Sequence, residues 1–105
     1  MLRGGFDALC RSPLAARHYL ELVGGARGLI LEAVPILGPR DEDAARRFIM
    51  LIDTVYDARL GLVIAAAAEP DRLYAGDAFA DEFRRTASRL QEMRRPGWVG
   101  NAVFS

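Results

Sequence analysis

Two short apolar segments flank one amphipathic segment, and this arrangement limits the fold more than any other feature of the chain. Residues 29–34 form a mostly apolar run that stops at Pro35, and residues 61–67 are apolar without the period-two alternation of a half-exposed strand. Between them, apolar residues follow the i, i+3, i+4, i+7 spacing that predicts a helix over 41–58. Short connections then predict a strand–helix–strand unit with two parallel strands.

The predicted fold class is α/β, with this one βαβ unit and flanking helices. Ser12 followed by Pro13 predicts the start of an earlier helix that stops at Gly24-Gly25, and a last helix is predicted over 77–94. A sheet of only two parallel strands would have exposed edges and little cover. The chain is therefore expected to be an incomplete domain, either a fragment or an obligate partner.

Composition sets further limits on what the chain does. Its 105 residues allow one domain, and a formal net charge of zero gives no electrostatic case for a nucleic-acid partner. The longest apolar run, residues 60–68, is far shorter than the roughly 20 residues of a membrane-spanning helix. A single cysteine, Cys10, cannot form an internal disulfide, which favours a reducing, cytoplasmic setting.

The predicted last helix carries a pair of arginines one turn apart. At about 100° per residue, Arg85 and Arg89 both point away from the side that Phe83 marks as the core. One interpretation is a solvated face on which Asp81 and Glu82 pair with neighbouring arginines. The other is a receptor for anions, since planar guanidinium groups suit phosphate oxygens.

Three other polar features could carry chemistry. Glu32 ends an apolar strand, which weakly resembles a Walker B acid. Asp53 and Asp57 lie one turn apart, as paired acid–base carboxylates can, although the flanking pattern indicates a solvated face. His18 is the only histidine, so a usual zinc site is excluded, and a surface or interface position is expected.

Four segments in the same order resemble the ZapE-type, AFG-one-like P-loop ATPases. They are FDALCRSPLAARHYLELV, LILEAVPIL, RRFIMLIDTVYDARLGLVIAAAAEPDRLY and FRRTASRL. The last fits F-x-R-T-x-S-R-L, and the resemblance extends from about Phe6 to Trp98. Where the family commonly has Ala-Asp-Tyr-Leu, this chain has Arg17-His18-Tyr19-Leu20.

This resemblance implies that residues 1–105 are the C-terminal α/β portion of such an ATPase domain, part of a P-loop-type sheet. The Walker A lysine cannot be present, because the 14 basic residues are all arginine. The full-length family uses ATP and Mg²⁺, but this chain alone is expected to bind neither and to hydrolyse no ATP. Arg85 and Arg89 would sense the nucleotide phosphates, with Thr86 and Ser88 as supporting hydrogen-bond formers.

The resemblance also implies a cellular role and partners: the full-length protein would be a cytoplasmic ATPase that regulates the cell-division ring in bacteria. The partner would be the missing N-terminal P-loop half or a full-length homologue, and division-ring proteins are a further expectation. The alternative is a non-enzymatic interaction module that docks on a full-length ATPase or a division protein. A third interpretation, an unrelated small enzyme, is supported by no group of residues in the sequence.

Overall fold

The computed structural model describes residues 2–13, 16–95, 98 and 102–104, which form strands connected by helices. Two short 3-10 turns, Pro39–Asp41 and Pro70–Arg72, lie in the connections. The elements are β1 (Leu2–Gly5), α1 (Phe6–Cys10), α2 (Ala16–Val23), β2 (Gly28–Val34), α3 (Glu42–Asp57), β3 (Gly61–Ala66), α4 (Ala80–Met93) and β4 (Ala102–Phe104).

The strands form one parallel sheet in the order β1-β2-β3-β4. The register places Arg3 beside Ile30 and Ile30 beside Val63, so these side chains form a row across the sheet. The neighbouring rows hold Leu29 and Leu62, which are fully buried. Because side chains alternate between the two faces of a strand, the two kinds of row lie on opposite faces.

The described helices form a single layer on one face of the sheet. Helix α3 packs against α1, α2 and α4, which is possible only if all of them lie on the same side. This layer covers the face that carries Leu31 and Ile64, and both residues belong to the buried core. On the other face Ile30, Val63 and Ala65 stay half-exposed. Parallel sheets normally have both faces covered, so this open face is unusual.

A bulge interrupts the end of β2. The pairing with β3 shifts between Leu31 and Val34, and Ala33 has a φ of 60°, in the left-handed region. The extra residue returns Val34 to the helix-covered face, where it is buried. It also leaves Glu32 exposed at the carboxyl end of the strand.

The α/β class and the central parallel strand–helix–strand unit are confirmed. The sheet also contains β1 and β4, which the sequence pattern did not predict. Helix α4 begins at Ala80, three residues after the predicted start, and residues 14 and 15 of the earlier predicted helix lie outside the described residues. No helix within the described ranges is long and apolar enough to cross a membrane.

Candidate functional site

The two arginines of the predicted site lie in different environments on α4. Arg85 is exposed, and no ion pair to another described residue involves it. Arg89 pairs with Asp53 of α3, and the two side chains are only 28% and 30% exposed. The guanidinium carbon of Arg89 also lies 4.8 Å from the centre of the Tyr56 ring, a cation–π distance. The structure therefore does not bring Arg85 and Arg89 together on one free surface.

This arrangement corrects two expectations from the sequence. Asp53 is not on a solvated face, and Arg89 does not point into solvent. On a projection of α4 alone, Arg89 points away from the core side of the helix. In the fold, α3 packs against α4 on the side to which Arg89 points. The contacts between Asp53 and Asp57 that an acid–base pair would need are likewise missing, since Asp57 is exposed and Asp53 is held by Arg89.

Arg89 and Asp53 belong to a larger cluster, which we call the α3–α4 clamp: Asp53, Tyr56, Arg89 and Glu92. The Tyr56 hydroxyl donates a hydrogen bond to the Glu92 carboxylate, and this bond raises the pKa of Tyr56. Trp98 stacks on the Tyr56 ring at 5.0 Å between ring centres. The clamp thus ties α3 and α4 together at their outer surfaces.

The sequence contains a signal for the clamp, but this signal spans two helices and is not visible from either helix alone. Asp53 and Tyr56 are spaced i, i+3 on α3, and Arg89 and Glu92 are spaced i, i+3 on α4. Each pair therefore faces one direction from its helix, and their groups are complementary. Opposite charges and an aromatic ring at matching spacing on two neighbouring helices are the pattern to search for.

The two residues expected to support the arginines also differ from each other. Thr86 is fully buried, and its hydroxyl donates to the main-chain carbonyl of Glu82 at 3.2 Å. It therefore satisfies its hydrogen bond within its own helix. Ser88 is exposed and lines a cleft beside α4. Of the predicted pairing of Asp81 and Glu82 with Arg84 and Arg85, the Asp81–Arg84 ion pair is confirmed, whereas no ion pair between described residues joins Glu82 to Arg85.

The remaining candidates show no catalytic arrangement. Glu32 forms an ion pair with Arg3 of β1 at 3.2 Å, and both side chains are at least half exposed. Across the described ranges, no group of three or more histidine, cysteine or acidic side chains could hold a metal ion. His18 is half-buried on α2. Burial raises the pKa of the Cys10 thiol to about 12, which makes it a poor nucleophile.

Comparison with known proteins assigns the chain to a family. The sequence model of the AFG1-like ATPases matches residues 1–101. The chain belongs to this family. It is 36% identical over 89 residues to the cell division protein ZapE of Escherichia coli strain K12, and 38% identical over 88 residues to lactation elevated protein 1 homolog B of Danio rerio.

These matches cover most of this chain but little of its relatives. They include 85% and 84% of the chain, but only 24% of the length of ZapE and 18% of the Danio rerio protein. The chain therefore spans about a quarter or less of these two relatives. No solved structure matches it significantly.

Proposed function

We propose that the chain is the C-terminal part of a ZapE/AFG1-like ATPase, which binds and hydrolyses ATP with Mg²⁺ only when its P-loop half is present. The family membership supports the ATPase assignment. The absence of any lysine supports inactivity of this chain alone, because the Walker A motif needs one. By its likeness to ZapE, the whole protein would act in cell division, at the division ring in the cytoplasm.

The single observation that carries the structural part of the proposal is the open sheet face. Ile30, Val63 and Ala65 form a half-exposed apolar surface at the centre of a parallel sheet. Apolar surface of this kind favours burial against another element by about 25 cal/mol per Å². We assign this face to contacts with the P-loop half of the protein or with a full-length homologue.

Within this proposal the two arginines take different roles. Arg85 is the residue available to meet nucleotide phosphates, since it is exposed and Arg89 is already engaged by Asp53. In phosphoryl transfer an arginine from outside the phosphate loop stabilises the developing negative charge. Arg89 can reach a phosphate only by leaving Asp53, so we propose that it acts in nucleotide sensing through the orientation of α4. Thr86 and Ser88 would support α4 from its buried and exposed sides.

A chimaera tests this proposal. The 89 matching residues of E. coli ZapE are replaced by those of this chain, and ATP turnover is measured with Mg²⁺. We expect the chimaera to hydrolyse ATP and this chain alone to show no turnover. Arg85→Ala in the chimaera should lower turnover at least tenfold, a fall of about 1.4 kcal/mol in transition-state stabilisation.

The matched control is Arg72→Ala, which removes the same charge from an exposed position in a 3-10 turn. If Arg85→Ala and Arg72→Ala have the same turnover as the unsubstituted chimaera, the nucleotide role of Arg85 is wrong. A folded chimaera without turnover, next to an active parent ZapE, would instead refute the assignment of this chain to the ATPase part. Arg89→Glu is unsuitable, since it would add a third carboxylate to Asp53 and Glu92 in the clamp.

The interaction-module alternative uses the same open face. Under it, the separate chain binds full-length ZapE without restoring or changing ATP turnover. Val63→Glu, on the open face, should then abolish binding in a pull-down, whereas Arg46→Glu on the surface of α3 should not. Binding with unchanged turnover would favour the module over the ATPase part.

A further inference from the structure

A cleft lies between α4 and the segment 70–76, away from the open sheet face. Its volume is about 520 Å³, within the range of roughly 300–1,000 Å³ typical of ligand sites. Neither Arg85 nor Arg89 lines it. The cleft shares Ser88 with the residues proposed to support α4, but it contains neither arginine proposed to sense the nucleotide, so a ligand in it would be additional to that contact.

The floor of the cleft is aromatic and held in place. The Tyr74 ring stacks on Phe83 with ring centres 5.2 Å apart and an angle of 23° between the planes. Its hydroxyl accepts a hydrogen bond from the Phe79 N–H at 3.1 Å. Gly76 lies so close to the ring that an added Cβ would be 2.6 Å from the Tyr74 hydroxyl. These contacts fix the ring, so the floor is formed before any ligand arrives.

Polar groups line the α4 side of the cleft in one stripe. Arg84, Ser88 and Gln91 line the cleft from α4, and their spacing of four and three residues keeps them on one side of the helix. Arg95 also lines the cleft, two residues after the helix ends at Met93. At 1.5 Å per residue, Arg84 lies about 14 Å along the axis from that end, so the two arginines favour a ligand with separated charges.

The charges of the lining favour an anionic ligand whose charges are spread out. Arg84 pairs with Asp81 on the same helix, and its side chain is 75% exposed. An exposed pair of this kind contributes little, so a ligand carboxylate can replace Asp81. Among the described residues that line the cleft, Asp71 is the single acid, and it would repel a continuous run of phosphates.

We propose that this cleft binds an acidic peptide segment in an extended conformation. Two carboxylates four residues apart lie on the same face of a strand and span about 13 Å, similar to the length of α4 from Arg84 to its end, so both can face Arg84 and Arg95. Apolar side chains between them would lie on Tyr74 and Phe83. Ser88 and Gln91 can donate to and accept from the peptide main chain, as the side-chain amide and hydroxyl allow.

The test measures peptide binding to the complete chain by fluorescence anisotropy. The probe is a short fluorescein-labelled peptide with two glutamates four positions apart, on one face of an extended strand, and leucines between them. We expect saturable binding with a dissociation constant below about 1 mM. The matched probe with lysines in place of both glutamates should not bind. Charge reversal of both arginines, Arg84→Glu with Arg95→Glu, should weaken binding at least tenfold.

The control variant is Arg72→Glu, which changes the same charge on an exposed residue outside the cleft lining. An equal loss of affinity in this variant would show attraction to overall charge and overturn the proposal. The absence of saturable peptide binding would also overturn the proposal. The same holds if a single-stranded oligonucleotide binds more tightly than the peptide and the double variant Arg84→Glu with Arg95→Glu abolishes that binding. Far-UV circular dichroism of each variant establishes that it is folded. The single variant Ser88→Trp, which fills the cleft without changing its charge, should also abolish peptide binding.

Discussion

The α3–α4 clamp makes a quantitative prediction about stability. Replacement of Arg89 by alanine removes the ion pair with Asp53 and the cation–π contact with Tyr56. Two unit charges about 4 Å apart attract by about 4 kcal/mol at an effective dielectric constant of about 20, but desolvation offsets much of this. Exposed pairs retain about 0.2–1 kcal/mol. For this pair, nearly three-quarters buried, we expect about 1–2 kcal/mol of coupling.

The contact with the Tyr56 ring adds about 0.5–1 kcal/mol. Arg89→Ala should therefore lower the free energy of unfolding by about 1.5–3 kcal/mol, and Asp53→Ala by somewhat less, since it leaves the cation–π contact intact. Domains are typically stable by about 5–15 kcal/mol, so the loss is a large fraction of the total. In urea the unfolding midpoint should fall by about 1 M.

A double-mutant cycle separates the pair from its surroundings. Unfolding in urea is measured for wild type, Asp53→Ala, Arg89→Ala and the double variant. The control cycle uses Arg46 and Asp43, an exposed i, i+3 pair on α3 with a separation of 3.8 Å, for which about 0.3–0.5 kcal/mol is expected. A clamp coupling no larger than that of the control would refute the reasoning, because burial would then have made no difference.

Three further predictions concern other parts of the fold. Burial raises the pKa of Cys10 to about 12, so iodoacetamide at pH 8 should label the native chain at least ~100-fold more slowly than the urea-unfolded chain; equal rates would contradict this. The hydrogen bond from the Gly38 N–H, and then the guanidinium group of Arg11, lower the pKa of Asp41. The Asp41 carboxylate therefore stabilises the fold above its unfolded pKa of about 3.9. This contribution is lost as the pH falls through the lower folded pKa. The stability difference between wild type and Asp41→Asn, from urea unfolding at a series of pH values, should therefore shrink at acid pH, and a constant difference would be evidence against it. Gly76→Ala should destabilise the fold by about 1–2 kcal/mol in thermal unfolding, because the new methyl group must displace the Tyr74 ring; an unchanged Tm would show that the ring is not fixed.

The central unit of the fold was predictable because its signals are local. The apolar runs and the 3.6-residue period lie within single elements, and the bounds of α3 differ from the prediction by one residue at each end. The outer strands have no such signal. Strand β1 contains Gly4 and Gly5, which have low strand propensity, and β4 has only three residues. Only pairing with a neighbouring strand defines them.

The candidate site shows a different limit of sequence reasoning. The spacing on α4 correctly placed Phe83 in the core. It could not place Arg89, because the direction of a side chain from its own helix does not say which element lies in that direction. Its partner, Asp53, is 36 residues earlier in the chain. A contact at this distance depends on how two helices are seated on one sheet, which no local period specifies.

The clamp also changes what the resemblance to the ATPases implies about single residues. Asp53 and Tyr56 lie in the segment LIDTVYD, and Arg89 lies in FRRTASRL, and both segments carry the resemblance. The structure pairs these residues with each other, so a packing requirement is enough to explain why the two segments occur together. Such a requirement would hold whether or not nucleotide is bound. Evidence for a direct nucleotide contact must therefore come from Arg85, whose side chain no described ion pair occupies.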